Sequence, residues 1–101
     1  MRKIGIIGFG RIGRIHFESV KKIEDVEVLA VADSFADKMT DVFDKYGIEN
    51  YSIDFHAIMD NPEIDTVFIC SPTDTHAQIA IAAAKAGKDI FCEKPIDFDI
   101  Q

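Results

Sequence analysis

Six residues near the start, Gly8-Phe9-Gly10-Arg11-Ile12-Gly13, constrain this chain more than any others. They follow directly on the apolar run Lys3 to Gly8 (KIGIIG), which reads as a strand buried on both faces. They also open a segment, Arg11 to Ile23, in which Ile12, Ile15, Val20 and Ile23 recur near helical spacing. A strand that passes at once into a helix uses glycines for mechanical reasons. Gly8 permits the tight turn, Gly10 leaves the backbone open to close approach, and Gly13 lets helix and strand pack tightly. The helix start then offers unpaired N–H groups and partial positive charge to a phosphate. Glycines recur in such turns for packing alone, so the surrounding sequence has to carry the functional reading.

The rest of the chain keeps the alternation. Val26 to Ala32 (VEVLAVA) is a second apolar strand, closed by Asp33. Phe35 to Tyr46 is expected as one helix, with Phe35, Met39, Val42, Phe43 and Tyr46 on a single face and Gly47 as its stop. Ser34 and Asp37 resemble a capping box for it. Tyr51 to Ile53 is a short third strand, followed by a helical turn from Phe55 to Asp60. Thr66 to Cys70 (TVFIC) is the fourth strand, and Ser71-Pro72-Thr73-Asp74 opens an alanine-rich helix that Gly87 ends. Lys88 to Cys92 (KDIFC) is the fifth strand. Sixteen isoleucines and six valines against one leucine, Leu29, suit a pleated, buried sheet. Short connections between alternating elements imply right-handed crossovers and a parallel sheet with helices on both faces. The fold class is α/β, in one domain over residues 1–101.

Charge narrows the partners. Eleven basic against eighteen acidic residues give −7, which argues against general nucleic-acid binding. Six of the eleven basic residues (Arg2, Lys3, Arg11, Arg14, Lys21, Lys22) nevertheless fall within residues 1–22, which suits a small anionic ligand. Arg11 and Arg14 stand in the first turn of a helix, where a cation costs about 0.3–1 kcal/mol unless an anion is bound; the alternative is two solvated arginines. No apolar run approaches the ~20 residues of a membrane span. The Met1-Arg2-Lys3 start faintly resembles a signal peptide, but its apolar stretch is short and Arg11 and Arg14 cut it off, so the protein is expected in the cytoplasm. Cys70 and Cys92 have neither a disulfide framework nor zinc spacing, and no metal is expected.

Asp33 ends the second strand 20 residues after Gly13, where a carboxylate accepts hydrogen bonds from the ribose of a dinucleotide. Its other reading is a helix cap, a role Ser34 already suits. A carboxylate here repels a 2′-phosphate, and Ser34-Phe35-Ala36 supplies no arginine, so NAD is favoured over NADP. Ser71-Pro72-Thr73 follows the fourth strand and Glu93-Lys94-Pro95 the fifth, on the carboxyl edge where open α/β sheets bind ligands. Lys94 is either a solvated surface lysine or a catalytic group on that edge. His16 and His76 read as packing or helix-terminal residues, and His56 has no context.

The stretches Gly8 to His16 (GFGRIGRIH), Asp33, Cys70 to His76 (CSPTDTH) and Ala86 to Ile96 (AGKDIFCEKPI) resemble the Gfo/Idh/MocA oxidoreductase family. The glutamate-lysine-proline triplet is its most specific mark among Rossmann domains, and GRIGRIH is similar to inositol 2-dehydrogenases in particular. The resemblance implies a Rossmann-type doubly wound parallel sheet, cut before its last strand and without the family's second α/β domain. It implies NAD as cofactor, held by Gly8, Phe9, Gly10, Arg11, Ile12, Gly13, Asp33, Ser34, Ser71, Pro72, Thr73, His76, Glu93, Lys94 and Pro95. Lys94 matches the catalytic lysine that assists proton transfer from a substrate hydroxyl. The implied reaction moves a hydride from a secondary hydroxyl of a cyclic polyol or sugar to NAD⁺. The substrate pocket, the aspartate–histidine pair and a homo-oligomer interface belong to the second domain, so these 101 residues are expected to be an N-terminal portion, inactive alone. Alternatives are a dehydrogenase of the same family for another sugar or polyol, or a non-catalytic NAD-dependent sensor, against which Lys94 argues. A methyltransferase shares the glycine loop and the acid, but Glu93-Lys94-Pro95 does not suit its chemistry.

Overall fold

The computed structural model describes residues 2–70 and 73–92. Five parallel strands, β1 (Arg2–Ile7), β2 (Val26–Ala32), β3 (Tyr51–Ser52), β4 (Thr66–Ile69) and β5 (Asp89–Cys92), form one sheet in the order β3-β2-β1-β4-β5. Helices α1 (Arg11–Lys21), α2 (Thr40–Tyr46), α3 (His56–Met59) and α4 (Thr73–Lys85) make the crossovers. The chain winds outward from β1 to β3, then returns past β1 to β4. That reversal leaves a crevice at the carboxyl ends of β1 and β4.

Two apolar layers sandwich the sheet, as its parallel strands require. One gathers Ile4, Ile6, Val31, Phe9, Phe17, Val20 and Phe43 beneath α1 and α2. The other gathers Ile7, Val67, Ile69, Ile58, Ile79 and Ala83 beneath α3 and α4. β1 supplies both layers, since Ile4 and Ile6 face one way and Ile7 the other. Its burial on both faces is as expected for KIGIIG.

Three local expectations are corrected. The inner face of α1 is Gly13, Phe17 and Val20, whereas Ile12, Ile15 and Ile23 are exposed. Gly13 sets that face, because the helix meets β1 at this residue and positions four and seven further on must then turn inward. The single helix from Phe35 to Tyr46 is a 3-10 turn (Ala36–Lys38) followed by the shorter α2, and Phe35 is outside the core. The Ser34–Asp37 capping box does not form. Asp33 instead makes an Asx turn just ahead of the 3-10 turn, its Oδ1 accepting the Phe35 N–H at 2.9 Å.

The opposite edge of the sheet is fastened by charge. Arg2 reaches Asp89 at 2.9 Å and Asp65 at 3.4 Å, joining the starts of β1, β4 and β5. Asp89 foremost holds the Arg2 guanidinium above its ordinary pKa. The Thr66 hydroxyl, followed by the Lys3 N–H and Arg2, holds the Asp65 carboxyl below its usual range. Lys88, buried just before β5, donates its ammonium to the carbonyls of Asn61 (2.8 Å) and Ile64 (2.6 Å).

Candidate cofactor site

Strand register brings the candidate residues to one edge. Ile7 pairs with Ala32 on one side and with Ile69 on the other, and Ile69 pairs with Cys92. These four residues form a row across the sheet, so Gly8, Asp33 and Cys70 each follow a strand that ends level with its neighbours.

The glycine loop is built as its spacing requires. Gly8 has φ +92°, a conformation that side chains other than hydrogen rarely adopt, and its N–H continues the sheet to Ala32 at 2.7 Å. A Cβ on Gly13 would press on the Gly8 carbonyl, so the first turn of α1 lies directly against the end of β1. A Cβ on Gly10 would meet nothing within 4 Å, which leaves open space beside this backbone. The α1 terminus has no side-chain cap and no acidic residue in its first turn. Its leading N–H groups have no intrahelical acceptors. Uncapped donors, open space and a first turn without acidic residues suit a pyrophosphate.

Phe9 supports the loop from below. Its ring is fully buried, edge-on to Phe17 (5.8 Å) and Tyr46 (5.4 Å) and tilted against Phe43 (5.6 Å). Only its backbone faces the site, and that backbone is engaged at both ends. The N–H donates to Asp33 Oδ2 at 2.7 Å and the carbonyl accepts from Arg14 Nε at 3.2 Å. Arg14 is therefore half-buried and tied to the loop, while Arg11 and Ile12 are exposed beside it.

Asp33 is shared between two loops. Oδ2 takes the Phe9 N–H and Oδ1 the Phe35 N–H. An ionised carboxylate offers about four acceptor positions. Two such bonds leave one on each oxygen, which matches the two hydroxyls of a ribose. Ser34 is exposed and makes no capping bond.

The backbone of Thr73 and His76 lies in the first turn of α4. Ser71, Pro72, Glu93, Lys94 and Pro95 lie outside the described residues. His16 packs edge-on to Phe68 (5.8 Å) and Phe91 (5.4 Å), the packing role expected for it. Among the described residues no cluster of three or more His, Cys, Asp or Glu could hold a metal, and no helix is long and apolar enough to cross a membrane. Sequence reasoning missed the burial of Lys88 and the second bond of Asp33. A lysine directly after the Gly87 helix stop and before an apolar strand was the available signal for the first; the helix-cap reading of Asp33, set aside in favour of Ser34, was the signal for the second.

A parallel sheet in this order, with a glycine loop at its switch point and an acid closing β2, defines a dinucleotide-binding Rossmann domain. The chain belongs to the Gfo/Idh/MocA oxidoreductase family, NAD-binding Rossmann fold, whose family model matches residues 2–101. It is 42% identical over 98 residues to myo-inositol 2-dehydrogenase from Thermotoga maritima, covering 97% of this chain and 29% of that protein. It is 46% identical over 99 residues to inositol 2-dehydrogenase from Rhizobium meliloti, covering 98% and 29%. Among solved structures it is similar to scyllo-inositol dehydrogenase from Lactobacillus casei with bound NAD(H) and scyllo-inositol. The TM-score there is 0.83 at 36% identity, covering 98% of this chain and 29% of that one. The chain thus spans less than a third of the length of these relatives.

Proposed function

We propose that these residues form the NAD-binding part of a longer dehydrogenase that oxidises a secondary hydroxyl of an inositol-like cyclic polyol to a ketone. The observation that carries the reading is the 42–46% identity, along nearly the whole chain, to two inositol 2-dehydrogenases. The glycine loop and the α1 terminus hold the pyrophosphate, and Asp33 accepts the adenosine ribose hydroxyls. The Asp33 charge turns away a 2′-phosphate, so NAD is preferred over NADP. Bound NAD⁺ supplies the hydride acceptor. The alcohol proton then needs a base, and Lys94, two residues past the end of β5, takes it from the substrate oxygen.

The enzyme carrying these residues is assayed by NADH absorbance with NAD⁺ and a panel of myo-inositol, scyllo-inositol, glucose and other sugars. Turnover selective for an inositol supports the proposal. Turnover on another sugar alone discards the substrate and keeps the chemistry, and NAD⁺ binding without turnover points to a sensor. Lys94→Ala should cut turnover by about 10²–10⁴-fold while sparing NAD⁺ binding; wild-type turnover in that variant would refute the role of the lysine.

A further inference from the structure

The sheet is covered unevenly. Parallel strands are ordinarily buried on both faces, yet among the described residues β4 and β5 carry a helix on one face only. There α4 sets Ile79 and Ala83 in one cluster with Val67 and Ile69. On the other face α1 lies over β1 and β2, and strand register puts Phe68 beside Phe91. Their rings meet at 4.8 Å, and His16 of α1 stands edge-on to both, at 5.8 and 5.4 Å. Phe91 is nevertheless 44% exposed.

α1 extends this patch into a groove. At about 3.6 residues per turn, Ile12, Ser19 and Ile23 lie within roughly 60° of His16, on the side away from Gly13, Phe17 and Val20. Ile23 follows the last turn of α1, its N–H still on the Val20 carbonyl at 2.9 Å. Ile12 and Ile23 are 42% and 52% exposed. The stripe is about 16 Å long, has the two phenylalanines as its floor, and matches the spacing that receives an amphipathic helix. We infer that this groove seats the apolar face of a helix supplied by the enzyme's own chain beyond residue 101. The inference rests on the reading of these residues as part of a longer dehydrogenase, since the matched residues make up 29% of each inositol dehydrogenase relative. The groove adjoins β5, the last described strand, and the nine residues after Cys92 are fewer than the eleven steps from Ile12 to Ile23. Such a helix touches α1, whose first turn borders the glycine loop, and β5, which leads to Lys94. It thereby fixes the remainder of the enzyme to both.

The test uses the whole enzyme with Ile23→Cys or Ser19→Cys and measures how fast the added thiol reacts with a maleimide, over the background of the wild type. Each thiol should react at least roughly tenfold more slowly in the native enzyme than in urea, at every protein concentration. Reaction of both at the unfolded rate overturns the inference. Protection that vanishes on dilution, as subunits part, also overturns it, since a second copy is then the cover. Ile23→Asp gives an independent reading. Its Tm should fall by roughly 4 °C or more with the elution volume unchanged, whereas a substitution on an uncovered surface leaves Tm nearly fixed, and that result overturns the inference. Freely reacting thiols in an enzyme that oxidises an inositol retire the docking alone. Protected thiols in an enzyme that oxidises no polyol support the docking and retire the proposed function.

Discussion

Replacing Gly13 by alanine sets a methyl group against backbone that has no rotamer to change. The new Cβ would fall on the Gly8 carbonyl oxygen, far inside the 3.0 Å that real Cβ atoms keep, with the carbonyl carbon itself at 3.0 Å. Relief requires α1 to retreat from β1 by roughly 1 Å, an overpacking that costs about 1–3 kcal/mol. For a domain of this size Tm falls by roughly 4–8 °C per kcal/mol. Gly10→Ala is the matched control. Its methyl meets nothing within 4 Å, and the residue has φ −78° and ψ −154°, open to alanine. Its stability should stay within about 1 kcal/mol of wild type, while NAD⁺ affinity falls roughly tenfold or more because the methyl fills the space a pyrophosphate takes. Thermal unfolding and titration with NAD⁺ separate the two variants. A Gly13→Ala protein that melts with the wild type would refute the close helix–strand contact. A Gly10→Ala protein that binds NAD⁺ normally would refute the phosphate placement.

Three further outcomes are expected. Asp33→Ala should narrow the preference for NAD over NADP, and an unchanged ratio of the two affinities sinks the ribose assignment. Lys88→Met leaves the Asn61 and Ile64 carbonyls without their ammonium donor and should lower the urea midpoint by the equivalent of about 1–3 kcal/mol; an unmoved midpoint would show that water replaces the donor. The Asp65 carboxyl is held below its usual range by the Thr66 hydroxyl first, then by Lys3 and Arg2. A depressed folded pKa contributes stability that is present above the ordinary carboxylate range and is lost as pH falls through the lowered value. Asp65→Asn should therefore flatten the decline of Tm below about pH 4, and a decline as steep as the wild type's counts against this residue.

The parallel sheet and the glycine loop were legible because each rests on a local rule. Buried strands run apolar on both faces, short alternating connections impose parallel crossovers, and glycines at fixed spacing mark a close approach. The errors fell where two apolar stripes competed. In and just beyond α1, Ile12, Ile15 and Ile23 form one stripe and Gly13, Phe17 and Val20 another, and hydrophobicity alone favours the isoleucines. The close approach assigned to Gly13 already selects the second stripe, since the same residue cannot touch β1 and face solvent. The break at Phe35 was not legible, because periodicity cannot report a carboxylate that reaches across to Phe9. Lys88 was hidden for a related reason: its partners are backbone carbonyls 24 and 27 residues away, which leave no trace in side-chain pattern.

The burial of Phe9 bears on how the loop meets a ligand. Flexible glycine-rich segments ordinarily lose conformational freedom when they close on an anion, at about 1–2 kcal/mol for each residue ordered. Here the second residue of the loop is driven into the aromatic cluster of Phe17, Phe43 and Tyr46 like a peg, and its two backbone groups are already bonded. Phe9 is thus held by the protein's own core and backbone, which limits what a ligand would have to order at this residue. The Phe9 amide should accordingly exchange its proton slowly in the free protein, on the timescale of the core strands.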